Sequence, residues 1–193
     1  MIKFAGLLVL CLSSLSIAHP NNQFNQFFNG FDSLSANFEQ SVYDDNSNLI
    51  ASNQGEIQFK RPQQLIWHTQ IPNDQILLLN NNELWLIDNE LEQASLQHIA
   101  ELKQTPLYWL LNRPNQLVKT PQYAYSENQI DWYTTGQVNQ LRFGFQNDTL
   151  KGLSLTNELG QIIHIDFSEA IINPNLSTDI FTLDLGPDFD VIR

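Results

Sequence analysis

The chain has 193 residues, 42% of them hydrophobic, and 21 acidic residues against nine Lys and Arg give a formal net charge of −12. That length suits one domain with a real core. An acidic surface of this kind argues against nucleic acid, whose phosphates need Lys and Arg, and against residence on an anionic membrane.

The chain opens "MIKFAGLLVLCLSSLSIAHP": Lys3, an apolar run from Phe4 to Leu12, then small residues ending at Ser16-Ile17-Ala18. This is the layout of a secretory signal peptide, residues 1–18, with cleavage after Ala18. Its apolar run is short for a membrane anchor. Cys11 follows Leu10 in mid-run, so a lipidated cleavage point is not expected there. Cleavage would remove the only Cys together with Lys3, taking the charge to about −13. The remainder, 19–193, is expected to be an exported, soluble single domain, since it holds no apolar run long enough to cross a bilayer.

The next segment, "NNQFNQFFNGF", places Phe24, Phe27, Phe28 and Phe31 at i, i+3, i+4 and i+7, one stripe of an amphipathic helix. Such a stripe must cover something apolar, either an ordinary core or a ligand cavity. Period two then takes over. In "LSANFEQSV" Leu34, Ala36, Phe38 and Val42 share a face, with Ser35, Asn37, Glu39 and Ser41 opposite. "ILLLNNNELWLID" predicts a hairpin turning at Asn80 to Asn82, and its two strands are apolar on both faces, so both faces call for cover. Thr105 is a good helix N-cap and Pro106 a good first position. "LYWLLN" follows with Leu107, Tyr108, Trp109, Leu110 and Leu111, and Pro114 stops the helix. A helix this short and apolar must lie against a sheet or a ligand. Further half-buried strands are predicted at Leu141, Phe143 and Phe145; at Leu153 and Leu155; at Ile163, Ile165 and Phe167; and at Phe181, Leu183 and Leu185. "QNDTLKG" and "TNELGQ" read as hairpin connections. The architecture expected is mainly β: an incomplete, half-open antiparallel barrel with its apolar face inward and a lid of short α-helices at its mouth.

No catalytic set stands out. His19, His68, His98 and His164 show no metal-ligand spacing such as HxxxH, and there is no G-x-S-x-G elbow or glycine-rich phosphate loop. Neither a metal nor a cofactor is expected. His68 and His164 fall on polar strand faces, and most acids fall in turns or on outward positions, where solubility accounts for them. What the chain has in excess is aromatic surface, with twelve Phe, four Trp and five Tyr. Whether that surface fills a core or lines a hollow is not a question periodicity answers.

One stretch breaks the pattern. In "GEIQFKRPQQLIWH" the alternation puts Ile57, Phe59 and Arg61 on one face and Glu56, Gln58 and Lys60 on the other. Arg61 would follow the apolar face inward while Lys60 points to solvent. Pro62 marks a strand end or edge, and the next strand offers Leu65 and Trp67. A guanidinium at an apolar rim needs acceptors. The terminal carbonyls of a short helix would serve, and so would a surface Asp or Glu reached by snorkelling.

The order "LSANFEQSV", "GEIQFKRPQQLIWH", "LLLNNNELWLIDNELEQAS", "TPLYWLLN" and "FTLDLGPDFDVI" resembles the outer-membrane lipoprotein carrier (LolA) family across nearly the whole mature chain. The resemblance implies a periplasmic chaperone, not an enzyme. It would take lipidated proteins from an ATP-driven (ABC) inner-membrane lipoprotein transporter and hand them to an outer-membrane lipoprotein receptor, the acyl chains riding in an apolar cavity. It makes Arg61 the lid-closing residue. The cavity lining expected is Phe38, Ile57, Phe59, Leu65, Trp67, Leu77, Leu84, Phe143, Phe145, Ile163 and Ile165. The lid helices would carry Phe24, Phe27, Phe28 and Phe31, and Leu107, Tyr108, Leu110 and Leu111. A monomer is expected. The receptor shares the fold but is itself a lipoprotein, so the missing lipidation signal favours the soluble carrier. Two departures from the family are the Phe-rich first helix and the final turn, Gly186-Pro187-Asp188-Phe189-Asp190-Val191, whose tail geometry stays open. The alternatives are an envelope hydrolase with a carboxylate pair and a solid β interaction module without a lipid cavity.

Overall fold

A computed structural model of the chain describes residues 23–100, 106–112, 121–134, 141–157 and 159–193. The expected signal peptide, with Cys11 and the cleavage point after Ala18, lies outside them, as do His19, Thr105 and Pro114. The described residues begin with α1 (Gln23–Gly30) and then run up and down through β1 (Ser33–Tyr43), β2 (Leu49–Lys60), β3 (Gln64–Ile71), β4 (Gln75–Asn80), β5 (Glu83–Asp88) and β6 (Gln93–Gln97). After α2 (Pro106–Leu111) come β7 (Gln122–Glu127), β8 (Ile130–Thr134), β9 (Arg142–Gln146), β10 (Thr149–Thr156), β11 (Ile162–Ile172) and β12 (Asp190–Ile192).

All these strands join one sheet in the order β12-β6-β5-β4-β3-β2-β1-β11-β10-β9-β8-β7. Its two ends, β12 and β7, do not pair, so the sheet is curved but unclosed, as expected from the sequence. Curvature has local causes. Register shifts interrupt β1 against β11 between Ser35 and Asn37, β2 against β3 between Gln54 and Gly55, and β10 against β9 between Leu150 and Gly152. Each bulge bends its strand and increases the local twist. At one of them a glycine is obligatory. A Cβ on Gly55 would lie 1.9 Å from the His68 carbonyl oxygen and 3.0 Å from the Phe38 ring.

The cross-strand register makes the inner face apolar in rows. Leu34, Phe59, Leu65, Leu79 and Leu84 stand side by side across β1 to β5, and all five are buried. On the other half, Ile165, Leu153, Phe143 and Tyr133 form a second row across β11, β10, β9 and β8. The stripe on α1 packs into the angle between these halves. Phe24 meets Phe143 edge-on at 5.1 Å, Phe27 meets Phe145 at 5.1 Å, and Phe31 meets Phe59 at 5.4 Å between ring centroids. Burial of each ring contributes about 1.5–3 kcal/mol, with about 0.5–1.5 kcal/mol more for each well-placed aromatic pair. That tertiary gain holds together a helix of eight residues that would not persist alone in water.

The expected double cover of the β4–β5 hairpin is present. Leu79 and Leu84 belong to the inner core, whereas Leu78, Trp85 and Ile87 join Ala94 and Phe181 in a second cluster on the outer face. The outer cover corrects one expectation. "FTLDL" is no ladder strand: it begins in a short 3-10 turn, Thr178–Phe181, and continues as unpaired chain. Phe181 is fully buried, and Leu183 and Leu185 pack beside it. The alternation is real, but it reports which side of an extended segment is covered, not whether the backbone pairs. The tail then pairs in parallel with β6 through β12, the exception in an otherwise antiparallel sheet. Lys60 is likewise not simply solvated. It points outward, and its Nζ donates to the Leu176 carbonyl at 3.0 Å, tying down the start of that strap.

Turns fall where the residue types put them. Asn147 and Asp148, both at positive φ, join β9 to β10, and Asn81 at φ 56° turns β4 into β5. The β7–β8 hairpin, turning at Asn128 and Gln129, was not anticipated. It contributes Tyr133, fully buried against Phe24 and Phe145.

Two predictions follow from the packing. Gly55→Ala should lower unfolding stability by about 1–3 kcal/mol through overpacking, whereas Gly30→Ala, whose Cβ meets nothing within 4 Å, should stay within about 0.5 kcal/mol of the parent in urea titration. Equal midpoints for both variants would contradict the bulge geometry. Burial, and then the nearby Asp131 carboxylate, push the Tyr133 phenol from 10.0 up to about 12. The neutral phenol is favoured in the fold, so its contribution is intact below pH 10.0 and disappears as pH rises towards about 12. Tyr133→Phe should therefore lose less stability than the parent across that window, and parallel losses would contradict it.

Candidate functional site

The site is built at the point where β2 ends. Alternation carries Arg61 inward, and Pro62 stops the strand at Lys60. The Arg61 backbone N–H donates to the Asp32 carbonyl at 2.8 Å, which anchors the residue beneath the chain leaving α1. Its guanidinium then spans both helices. Nη1 donates to the carbonyls of Phe28 at 2.7 Å and Phe31 at 2.8 Å, at the C-terminal end of α1. Nε donates to Leu110 at 3.1 Å and Nη2 to Asn112 at 3.3 Å, at the C-terminal end of α2. The guanidinium carbon also lies 4.6 Å from the centroid of the Phe31 ring.

The physical fit is mutual. The last carbonyls of a helix have no intrahelical donor and carry the negative end of its dipole. A guanidinium presents several fixed donors and stays charged at all relevant pH. Of the two destinations open to Arg61 from sequence, the helix ends are reached. Asn112 was not anticipated as an acceptor, although it is the residue that ends "LYWLLN".

The residues expected to line a cavity divide into two groups. Ile57, Phe59, Leu65, Leu84, Phe143 and Phe145 are at most 2% exposed and lie in the packed interior. Phe38 is also buried and lies against Trp67 at 4.2 Å. Trp67, Leu77, Ile163 and Ile165 instead line an open cavity of about 250 Å³, together with Gln40, Leu107 and Leu155. Gln40 was missed, although the same alternation that chose Phe38 and Val42 puts it on the inner face. Of the lid residues, the three phenylalanines of α1, Phe31 just after it, and Leu107, Leu110 and Leu111 of α2 are buried. Tyr108 is half-buried over a second cleft beside Pro62 and Leu79.

The interior beneath α1 is therefore filled, and the filling is supplied largely by the helix. Away from the cavity, one polar cluster serves structure. His68 Nε2 lies 2.8 Å from Asp74 Oδ1, which also accepts from the Asn89 amide at 2.9 Å. The Asn89 amide first, and then His68, hold the Asp74 carboxyl below its ordinary value. These bonds staple two hairpin turns together. Among the described residues no group of three or more His, Cys, Asp or Glu is placed to hold a metal ion.

Residues 29–184 match the family profile described as outer membrane lipoprotein carrier protein LolA. An outer-membrane lipoprotein carrier protein from Pseudomonas paraeruginosa is 28% identical over 92% of this chain and 92% of its own. One from Idiomarina loihiensis is 25% identical over 82% of this chain and 80% of its own. The crystal structure of a LolA superfamily protein from Nitrosomonas europaea shares the fold, with a TM-score of 0.52 and 13% identity over 84% of this chain and 95% of that one. With an open β-sheet, a helical lid and a family match over most of its length, this chain belongs to the outer membrane lipoprotein carrier protein LolA family.

Proposed function

We propose that the protein is a periplasmic chaperone that carries the acyl chains of lipoproteins between membranes, with Arg61 as the latch of its lid. Residues 1–18 direct export and are removed, and 19–193 work as one carrier unit and as a monomer. Cargo arrives from an ATP-driven inner-membrane transporter and leaves to an outer-membrane receptor. The observation that carries this reading is the set of hydrogen bonds from Arg61 to the ends of both helices. They close the mouth of an apolar interior with a device that can be undone without disturbing the sheet.

In this reading the phenylalanines of α1 occupy the place that acyl chains take. Opening exchanges one apolar filling for another, and Ile57, Phe59, Leu65, Leu84, Phe143 and Phe145 become cavity wall when the helix lifts. The cavity at Trp67, Leu77, Ile163 and Ile165 is the part of that wall already open. A carrier of this family binds and releases, so no enzymatic step is needed, and none of the Asp or Glu is given one.

Magnitudes explain the need for a latch. Burying an acyl chain contributes about 0.8 kcal/mol per CH₂, or about 12 kcal/mol for a sixteen-carbon chain. Three such chains would exceed the practical ceiling of non-covalent affinity, near 20 kcal/mol. A carrier that kept all of this would not let go. Breaking hydrogen bonds to the charged Arg61, each contributing about 1.5–3 kcal/mol, opposes loading and favours release.

The carrier reading is tested by uptake. The native protein should bind a fluorescent fatty-acyl probe and copurify with lipidated protein, and failure of both would refute it. The latch is tested separately. Arg61→Leu weakens the closed state, so it should load cargo but transfer it to acceptor at least about tenfold more slowly, the equivalent of about 1.4 kcal/mol. Transfer at the native rate would contradict the latch.

A further inference from the structure

The inner face of the sheet is apolar row after row until it reaches Gln40. Phe38 precedes it on β1 and Val42 follows it. On β2, Ala51 precedes Asn53, and Gly55 and Ile57 follow it. Gln40 and Asn53 are direct cross-strand partners, so two carboxamides stand side by side where the alternation calls for aliphatic groups. Gln40 lines the open cavity, and its partner on the other side, Ile165, lines it too. Both amide-bearing residues are half-buried, and among the described residues neither side chain donates a hydrogen bond to protein. Gln40 therefore stands at the edge of the apolar cavity with Asn53 beside it on β2, and the N–H donors of both are uncommitted.

Resting on the carrier reading, we infer that Gln40 and Asn53 form a polar subsite for the ester carbonyls that join acyl chains to a glyceryl group. The chemistry follows from what an acylated lipid presents. Its chains are apolar to their last carbon, but each ends in a carbonyl that accepts hydrogen bonds and cannot donate them. Once the chains are drawn into the cavity, those carbonyls leave water, and an acceptor buried without a donor is costly. A carboxamide supplies two N–H donors without charge, and so answers the ester without adding an ion to an apolar wall. The position matches as well, because the pair lies where the cavity gives way to the open inner face and not deep among the phenylalanines. The subsite sets the depth to which a chain enters and distinguishes an acyl ester from bare hydrocarbon.

The test compares two lipids that differ in the carbonyl alone. Dioctanoylglycerol, an ester, and dioctylglycerol, its ether analogue, are titrated against a fluorescent acyl probe bound to the full mature protein. Without the subsite the ether should bind at least as tightly as the ester, since it has less polar surface to desolvate. With it, the native protein should prefer the ester by about three- to tenfold, the worth of a neutral hydrogen bond or two. The Gln40→Leu, Asn53→Ala double variant should lose that preference and still bind dioctylglycerol at least as tightly as the native protein. Equal binding of both lipids by the native protein overturns the subsite, and so does a preference that survives in the double variant. The native comparison does not depend on the variant folding. If neither lipid displaces the probe from the native protein, the carrier reading fails together with the subsite.

Discussion

A guanidinium cannot sit at the rim of an apolar interior without acceptors, and a helix of six or eight residues cannot stand by itself or satisfy its own last carbonyls. In this protein each problem is the solution of the other. Arg61 ends β2 on the inner face and spends its donors on Phe28, Phe31, Leu110 and Asn112. Two helices far apart in sequence are thereby joined to the sheet through one side chain. Substituting the charge alone would leave those carbonyls without their donor. Moving the helices away would leave a charge without acceptors at the edge of the apolar core. The closed arrangement is cooperative for that reason.

The neighbouring residue extends the logic to the other side of the sheet. Lys60 faces outward because Arg61 faces inward, and it bonds the Leu176 carbonyl at the start of the segment covering Leu78, Trp85 and Ile87. The inner cover and the outer cover thus both begin at the end of β2. They differ in kind. The outer strap is held further by Phe181 and by the parallel pairing of β12 with β6, whereas the inner cover rests on aromatic contacts and on Arg61. This asymmetry suits the proposed carrier, whose inner face would open while its outer face stays shut.

Much of this was legible in the sequence because it rests on spacing. The stripe of α1, the inward Arg61 and the Asn-Asp and Asn-Asn turns each follow from period or from residue chemistry. The alternation also read correctly that the β4–β5 hairpin needs cover on both faces. What escaped depends on which elements meet in space. The alternation at Phe181, Leu183 and Leu185 is satisfied by irregular chain lying on a cluster, since a covered extended segment and a paired strand leave the same trace. The β7–β8 hairpin turns at Asn128 and Gln129 without a glycine, and its first strand is mostly exposed, carrying polar residues and Tyr125 at the surface. Gln40 escaped because a polar letter on an apolar face is discounted when faces are read by majority. Asn112 escaped because it serves through its carbonyl, which every residue has.

The central claim is that acyl cargo displaces the lid by undoing the bonds of Arg61, and amide hydrogen exchange of the cargo-loaded protein tests it most directly. Exchange should be compared, residue by residue, between the free protein and the protein loaded with a lipidated peptide. Faster exchange across 24–31 and 107–112 on loading, with the central ladder of β1, β2 and β11 unchanged, is the result this account predicts. Unchanged or slower exchange in both helices, with cargo bound, would contradict it.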